Sequence, residues 1–159
     1  MLDVILPAST EFGINNLCTH DWSCIVFEIL VLWVCSEEWN TEFHPSLKMT
    51  AEPQDIHINK NRLSGFWGGT GIEDALRKRD IRTVLFAGEN TDQCVAGTIR
   101  DAYTKGWDCL MLSDACATTS PDFAKKCTEY NCEGGWGFVL SCKDLADGVG
   151  SIDRGTQHV

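Results

Sequence analysis

Two side chains in this chain have the type and placement for nucleophilic chemistry. Cys94 follows the apolar run Thr83-Val84-Leu85-Phe86-Ala87 and the turn residue Gly88, in the first turn of a helix expected to open near Thr91. A thiol there sits at the positive end of a helix dipole, which favours the thiolate, the form that attacks. Lys60 directly follows a second short apolar segment, Ile56 to Asn59. An ammonium beside the sulfur would depress its pKa further and make Cys94 an activated nucleophile. Taken singly, each residue has a plainer reading: cysteine as a small core hydrophobe, lysine as a solvated surface charge. The chemistry depends on whether the fold brings them together.

The elements that must position them are legible from Asp55 onward, where short apolar runs alternate with amphipathic stretches. That pattern gives parallel strands joined by crossover helices. Ile56 to Asn59 reads as a strand, with neighbouring Thr83 to Ala87 as a central one covered on both faces. Thr70 and Glu73 have capping-box spacing for a helix that turns Ile72, Ala75 and Leu76 inward and ends at Asp80. The helix from Thr91 aligns Val95, Ile99 and Ala102 before Gly106 ends it. A strand over Cys109 to Leu112, a loop from Asp114 to Ser120, a helix over Asp122 to Tyr130, a strand over Gly137 to Leu140 and a short tail helix follow. In open sheets of this kind, binding and catalysis collect beyond the carboxyl ends of the strands. Both Lys60 and Cys94 fall there. The N-terminal part is less legible: Ile25 to Val34 contains a strand, but its flanks show no helical period. The chain therefore divides into an atypical N-terminal part (1–54), a core (55–149) and a tail expected to be disordered (150–159).

Composition narrows the function. The 159 residues suit one domain, and 43% hydrophobic with 23% charged residues is ordinary for a packed globular chain. Thirteen Lys and Arg against 23 Asp and Glu leave a net charge of −10, which repels nucleic-acid phosphates and anionic membranes. The nine cysteines are odd in number and lack CxxC spacing, and no cleavable signal opens the sequence, so reduced thiols in the cytoplasm are expected. The apolar run from Cys24 to Cys35 is well short of the roughly 20 residues a spanning helix needs.

The text around the two reactive residues resembles the isochorismatase-like cysteine hydrolases, the family of nicotinamidases, N-carbamoylsarcosine amidases and ureidoacrylate amidohydrolases. Lys60-Asn61-Arg62-Leu63-Ser64-Gly65-Phe66 is similar to its lysine segment, and Gly88-Glu89-Asn90-Thr91-Asp92-Gln93-Cys94-Val95 to its nucleophile segment. Thr98, Arg100, Asp101, Ala102 and Gly106 recur in the following helix, and Asp114 to Thr119 resembles the next strand end. The resemblance implies a three-layer α/β/α fold with a mostly parallel sheet. It also implies hydrolysis of an amide or ureido carbon–nitrogen bond of a small molecule through a Cys94 thioester, with Lys60 as charge partner. The backbone N–H groups of Asn90 and Cys94 would form the oxyanion hole, and the Glu89–Asn90 peptide would be cis. Phe66 and Trp67 would line the substrate pocket, and the chain would self-associate as a homo-oligomer. The FWG after Ser64 and the PDF…N…GF pattern lean toward the ureidoacrylate-type or fungal-type branch.

The chain departs from the family at the third catalytic residue, an aspartate at the end of an N-terminal strand that takes the thiol proton. Asp3 precedes Val4-Ile5-Leu6 and Asp21 precedes the strand within Ile25 to Val34, so each is expected at the edge opposite Lys60 and Cys94. Glu37 and Glu38 follow that strand, but Val31-Leu32-Trp33-Val34 resembles the family's second strand, as though the first were missing. Loss of a general base costs roughly 10²- to 10⁴-fold. Two alternatives follow: a catalytically impaired module that binds ligand or self-associates, and a phosphatase, since Cys94 and Arg100 have C-x5-R spacing. Against the latter, six residues of helix rotate about 600°, or roughly 240° net, turning the two apart. No cofactor is expected. Nicotinamidase-type members hold a metal through Asp and His, whereas His20, His44, His57 and His158 are too scattered to suggest one.

Overall fold

A computed structural model describes residues 2–5, 24–30, 49, 55–56 and 58–155. The strands are β1 (Leu2–Ile5), β2 (Cys24–Leu30), β3 (Ile58–Lys60), β4 (Thr83–Glu89), β5 (Asp108–Ala117) and β6 (Phe138–Leu140). The helices are α1 (Ile72–Lys78), α2 (Ala96–Thr104), α3 (Asp122–Asn131) and α4 (Cys142–Gly155). A wide π-type turn, Thr91–Val95, leads into α2, and a second, Cys132–Trp136, follows α3. One six-stranded sheet runs in the order β3-β1-β2-β4-β5-β6. β2, β4, β5 and β6 are mutually parallel, while β1 is antiparallel to both β2 and β3. This is an α/β fold with a mostly parallel sheet.

The central apolar run forms β4 because both its faces are covered: Val84, Leu85, Phe86 and Ala87 are all buried. Val84 and Phe86 join Cys109 and Met111 of β5, Ile72 and Leu76 of α1, and Val95, Ile99 and Ala102 in one core cluster. The inward face expected of α2 is thus the one the structure buries. Ala75 of α1, by contrast, is only partly buried.

Several boundaries differ from the sequence reading. Lys60 is the last residue of β3 rather than the residue after it, and β3 is separated from β4 by β1 and β2. The capping box at α1 does not form. Gly71, left-handed at φ 72°, takes the N-cap position, while Thr70 donates its hydroxyl to the Gly65 carbonyl at 2.7 Å. The expected loop from Asp114 begins four residues later, at Thr118, because β5 continues to Ala117. Phe86 pairs with Met111 but Gly88 with Cys116, so β5 carries extra residues in a bulge and still follows β4 to its end. The tail is helical through Gly155, against the disorder expected from residue 150.

Gly137 closes β6 against β5. Its φ is 150°, and a β carbon there would lie 2.1 Å from the Cys109 carbonyl oxygen. Only glycine lets the second π turn enter β6 at this approach. Replacing Gly137 with alanine is expected to cost about 2–4 kcal/mol by forcing backbone apart, lowering the thermal midpoint by roughly 5–15 °C. Thermal denaturation followed by circular dichroism measures this, and an unchanged midpoint would contradict the contact.

Candidate active site

Lys60 is fully buried at the carboxyl end of β3. Its chain doubles back at once, so that Nζ donates to the carbonyl oxygens of Arg62 at 3.0 Å and Leu63 at 2.8 Å. These two bonds offset part of the cost of burying an ammonium. The same loop packs inward: Phe66 N–H donates to the Ser64 hydroxyl at 3.0 Å, and Phe66 is completely buried.

Cys94 is also completely buried, in the π turn beyond β4. Its thiol lies 3.3 Å from the Glu89 carbonyl oxygen and 3.7 Å from that of Asn90. The Glu89–Asn90 peptide is cis. Burial pushes the thiol up from its ordinary value of 9.0; the Lys60 ammonium and the N–H groups of Asn90, Val95 and Cys94 pull it down, and burial wins. Burial likewise lowers Lys60 from 10.5, and a Cys94 thiolate opposes the shift. The expectation of a depressed thiol pKa is therefore corrected: the helix end and the ammonium act in the expected direction, but complete desolvation outweighs them. Burial thus favours the protonated thiol.

The structure thus brings Lys60 and Cys94 close enough for each to move the other's titration, although three strand spacings, about 14 Å of sheet, separate β3 from β4. The connection runs over the sheet rim rather than through it. Thr98, fully buried in α2, accepts the Gly65 N–H at 3.0 Å and donates to the Cys94 carbonyl at 2.7 Å. One hydroxyl joins the lysine loop to the nucleophile turn. Beside it, a β carbon on Gly97 would stand 3.3 Å from Leu63 Cδ2, so loop and helix meet with little space between them. The resemblance singles out Thr98 within this helix, but the residue type alone does not signal a bridge to the lysine loop.

Other expected residues fall as follows. Phe66 belongs to the core, its ring tilted 56° against Trp107 at 6.0 Å. Trp67 is only partly buried and lies under the Arg62 guanidinium, 5.4 Å from its ring centre. Its indole Nε1 is buried and without a partner among the described residues. Arg100 is exposed and sits 3.8 Å from Asp101, so the C-x5-R loop does not assemble around Cys94. The edge expected for Asp3 is corrected: because β1 runs antiparallel, Leu2 pairs with Lys60 and Asp3 with Asn59, at the same edge as Lys60. Asp21, Glu37, Glu38 and the four histidines lie outside the described residues. Among the described residues no three His, Cys, Asp or Glu side chains converge as metal ligands.

Thr98→Val removes both hydrogen bonds at constant volume and leaves a buried N–H unpaired, so it should cost about 1–3 kcal/mol in chemical denaturation. Thr98→Ser should recover most of that loss. Equal stability of the valine variant and the parent would show that the bridge is not formed.

The Isochorismatase domain family model matches residues 16–130, well over half of the chain. Among curated proteins, the ureidoacrylate amidohydrolase RutB of Caulobacter vibrioides is 33% identical over 118 residues, covering 74% of this chain and 51% of that protein. RutB of Agrobacterium fabrum is 37% identical over 98 residues, covering 62% and 42%. The chain spans about half the length of the curated relatives it matches. Among solved structures, the nicotinamidase PncA from Bacillus subtilis aligns with a TM-score of 0.50 and 32% identity, over 53% of this chain and 45% of its own. An isochorismatase-like hydrolase from Alkaliphilus metalliredigens aligns with a TM-score of 0.67 over 77% of this chain and 70% of its own; at 22% identity, the likeness is one of fold. With the lysine loop and nucleophile turn joined over one rim of a mostly parallel sheet, these matches place the chain in the isochorismatase family.

Proposed function

We propose that this chain is a cysteine hydrolase that cleaves the carbon–nitrogen bond of a small amide or ureido compound. The observation that carries the reading is the mutual influence of a fully buried ammonium, Lys60, and a fully buried thiol, Cys94, supplied by different strands. In the proposed reaction a base takes the Cys94 proton and the sulfur attacks the substrate carbonyl carbon. The carbon–nitrogen bond breaks, the proton passes to the departing nitrogen, and water then hydrolyses the thioester to free acid and thiol. The Asn90 and Cys94 N–H groups take the developing oxyanion, and Lys60 steadies the thiolate. Trp67 supplies a wall of the substrate site, with Phe66 packed behind it.

Asp3 is the proposed base, since the antiparallel course of β1 carries its register position to the edge where β3 ends. Similarity to amidohydrolases acting on ureidoacrylate supports a ureido or amide substrate. A nucleophilic thiol calls for a reducing setting, and we place the protein in the cytoplasm. No helix among the described residues is long and apolar enough to cross a membrane.

Self-association is proposed through α3. Phe123, Cys127 and Tyr130 follow one another at i, i+4 and i+7 on its solvent side, with Phe123 73% and Tyr130 75% exposed. Exposed Lys126 of α3 and exposed Glu133 of the turn that follows it offer opposite charges to an antiparallel second copy.

Turnover of small amides and ureido acids tests the chemistry. Cys94→Ala should abolish it, and Lys60→Ala or Asp3→Asn should lower kcat by about 10²- to 10⁴-fold. No turnover of any such compound by the reduced parent chain would leave the impaired module as the better reading. Self-association is tested by light scattering after size exclusion: Phe123→Glu with Tyr130→Glu should convert the dimer to monomer, and a monomeric parent would refute it.

A further inference from the structure

Three successive residues of the nucleophile turn grip the strap that follows β5. Asn90 Oδ1 accepts the Thr119 N–H at 3.1 Å, and the buried Thr91 hydroxyl donates to the Ala117 carbonyl at 2.9 Å. Asp92 uses both carboxylate oxygens: Oδ1 accepts the Thr118 hydroxyl at 2.5 Å, and Oδ2 accepts the Ser120 hydroxyl at 2.8 Å. The Thr118 oxygen in turn accepts the Ser120 N–H at 3.1 Å, closing the strap on itself. The ammonium of Lys125 anchors the end of β5 from α3, donating to the carbonyls of Ser113 at 2.8 Å and Cys116 at 2.7 Å.

The Cys94 sulfur lies against the backbone of this turn, 3.3 Å from the Glu89 and 3.7 Å from the Asn90 carbonyl oxygen, and the N–H groups of Asn90, Val95 and Cys94 act on it to favour the thiolate, so its surroundings are set by the course of residues 89–95. That backbone forms a π-type turn, an uncommon geometry, in which the Gln93 and Val95 N–H groups both donate to the Asn90 carbonyl, at 3.1 and 3.4 Å. Within it, Asp92 is the side chain that makes two side-chain bonds to the strap. We infer that Asp92, acting through Thr118 and Ser120, is a positioning residue that holds the amide groups of the nucleophile turn on the Cys94 sulfur. The inference rests on the reading of Cys94 as nucleophile, but its test needs no turnover.

Both hydroxyls donate, so the position calls for an acceptor on each side-chain branch. Asparagine offers one and alanine none. Loosening the turn turns the amides away from the sulfur and raises the thiol pKa. Removing a negative charge close to the sulfur would lower it, so the sign of the shift separates positioning from a direct charge effect.

The test is the pH profile of Cys94 alkylation by brief iodoacetamide pulses, read at the Cys94 peptide by mass spectrometry, with native circular dichroism checked at each pH. The parent should alkylate slowly near pH 7 and rise through a midpoint above 9.0, the ordinary thiol value. In Asp92→Ala the midpoint should move up by about one pH unit, a tenfold loss of thiolate at a given pH, and in Asp92→Asn by about half of that. A general increase in access would raise the rate at every pH without moving the midpoint. An unchanged or lowered midpoint in folded Asp92→Ala would overturn the inference. Should that variant not fold, Thr118→Val and Ser120→Ala each remove one of the two bonds, and upward shifts in both are required. If the shifts appear in a chain with no hydrolase activity, the positioning role stands and the hydrolase reading fails.

Discussion

A buried ammonium must be met by oxygen, and the rim of this sheet is shaped around that requirement. Lys60 ends β3 buried, and the chain turns back so that the Arg62 and Leu63 carbonyls reach its Nζ. A loop bent that tightly over its own lysine needs an anchor. Phe66 supplies it by filling the core against Trp107, and this is why a ring that looks like a pocket wall in sequence is a plug in the structure. What remains free to face outward from the loop is Trp67, partly covered by Arg62.

The second consequence is electrostatic. Burial pushes the Cys94 thiol above its usual value; the neighbouring ammonium and three backbone amides offset part of the shift. The resting site is a protonated sulfur with its hydrogen within reach of the Glu89 carbonyl, next to a lysine whose own charge is made less favourable by burial. In the proposed chemistry a base must remove that proton before the sulfur can attack.

Aim and proximity are both delegated to hydroxyls and short polar side chains. Thr98 joins the lysine loop to the nucleophile turn, while Asn90, Thr91 and Asp92 join that turn to the strap after β5. Two elements that the sheet keeps apart by two intervening strands are thereby held as one unit. The bulge in β5 belongs to the same arrangement, because it lets Cys116 and Ala117 pair with Gly88 and Glu89 and so brings the strap to the turn.

Local sequence determined the elements whose signals are local: the unbroken apolar run of β4, buried on both faces, and the Val95, Ile99, Ala102 face at the head of α2; the cis Glu89–Asn90 peptide is implied instead by the resemblance of the nucleophile segment to its family. Signals that two distant segments share were read wrongly or not at all. Thr70 and Glu73 have capping-box spacing, yet Gly71 caps α1 and the Thr70 hydroxyl serves Gly65. A loop is expected from Asp114, yet pairing with β4 extends β5 to Ala117, and the tail expected to be disordered from residue 150 continues α4 to Gly155. Only tertiary structure decided the direction of β1, since strand polarity is set by the neighbours a strand finds and not by its own residues, and that direction moves Asp3 from the far edge to the edge of Lys60. It also decided the state of the sulfur: residue types foretell an ammonium and a helix end beside Cys94, but the depth of burial that outweighs both exists only once the chain is packed.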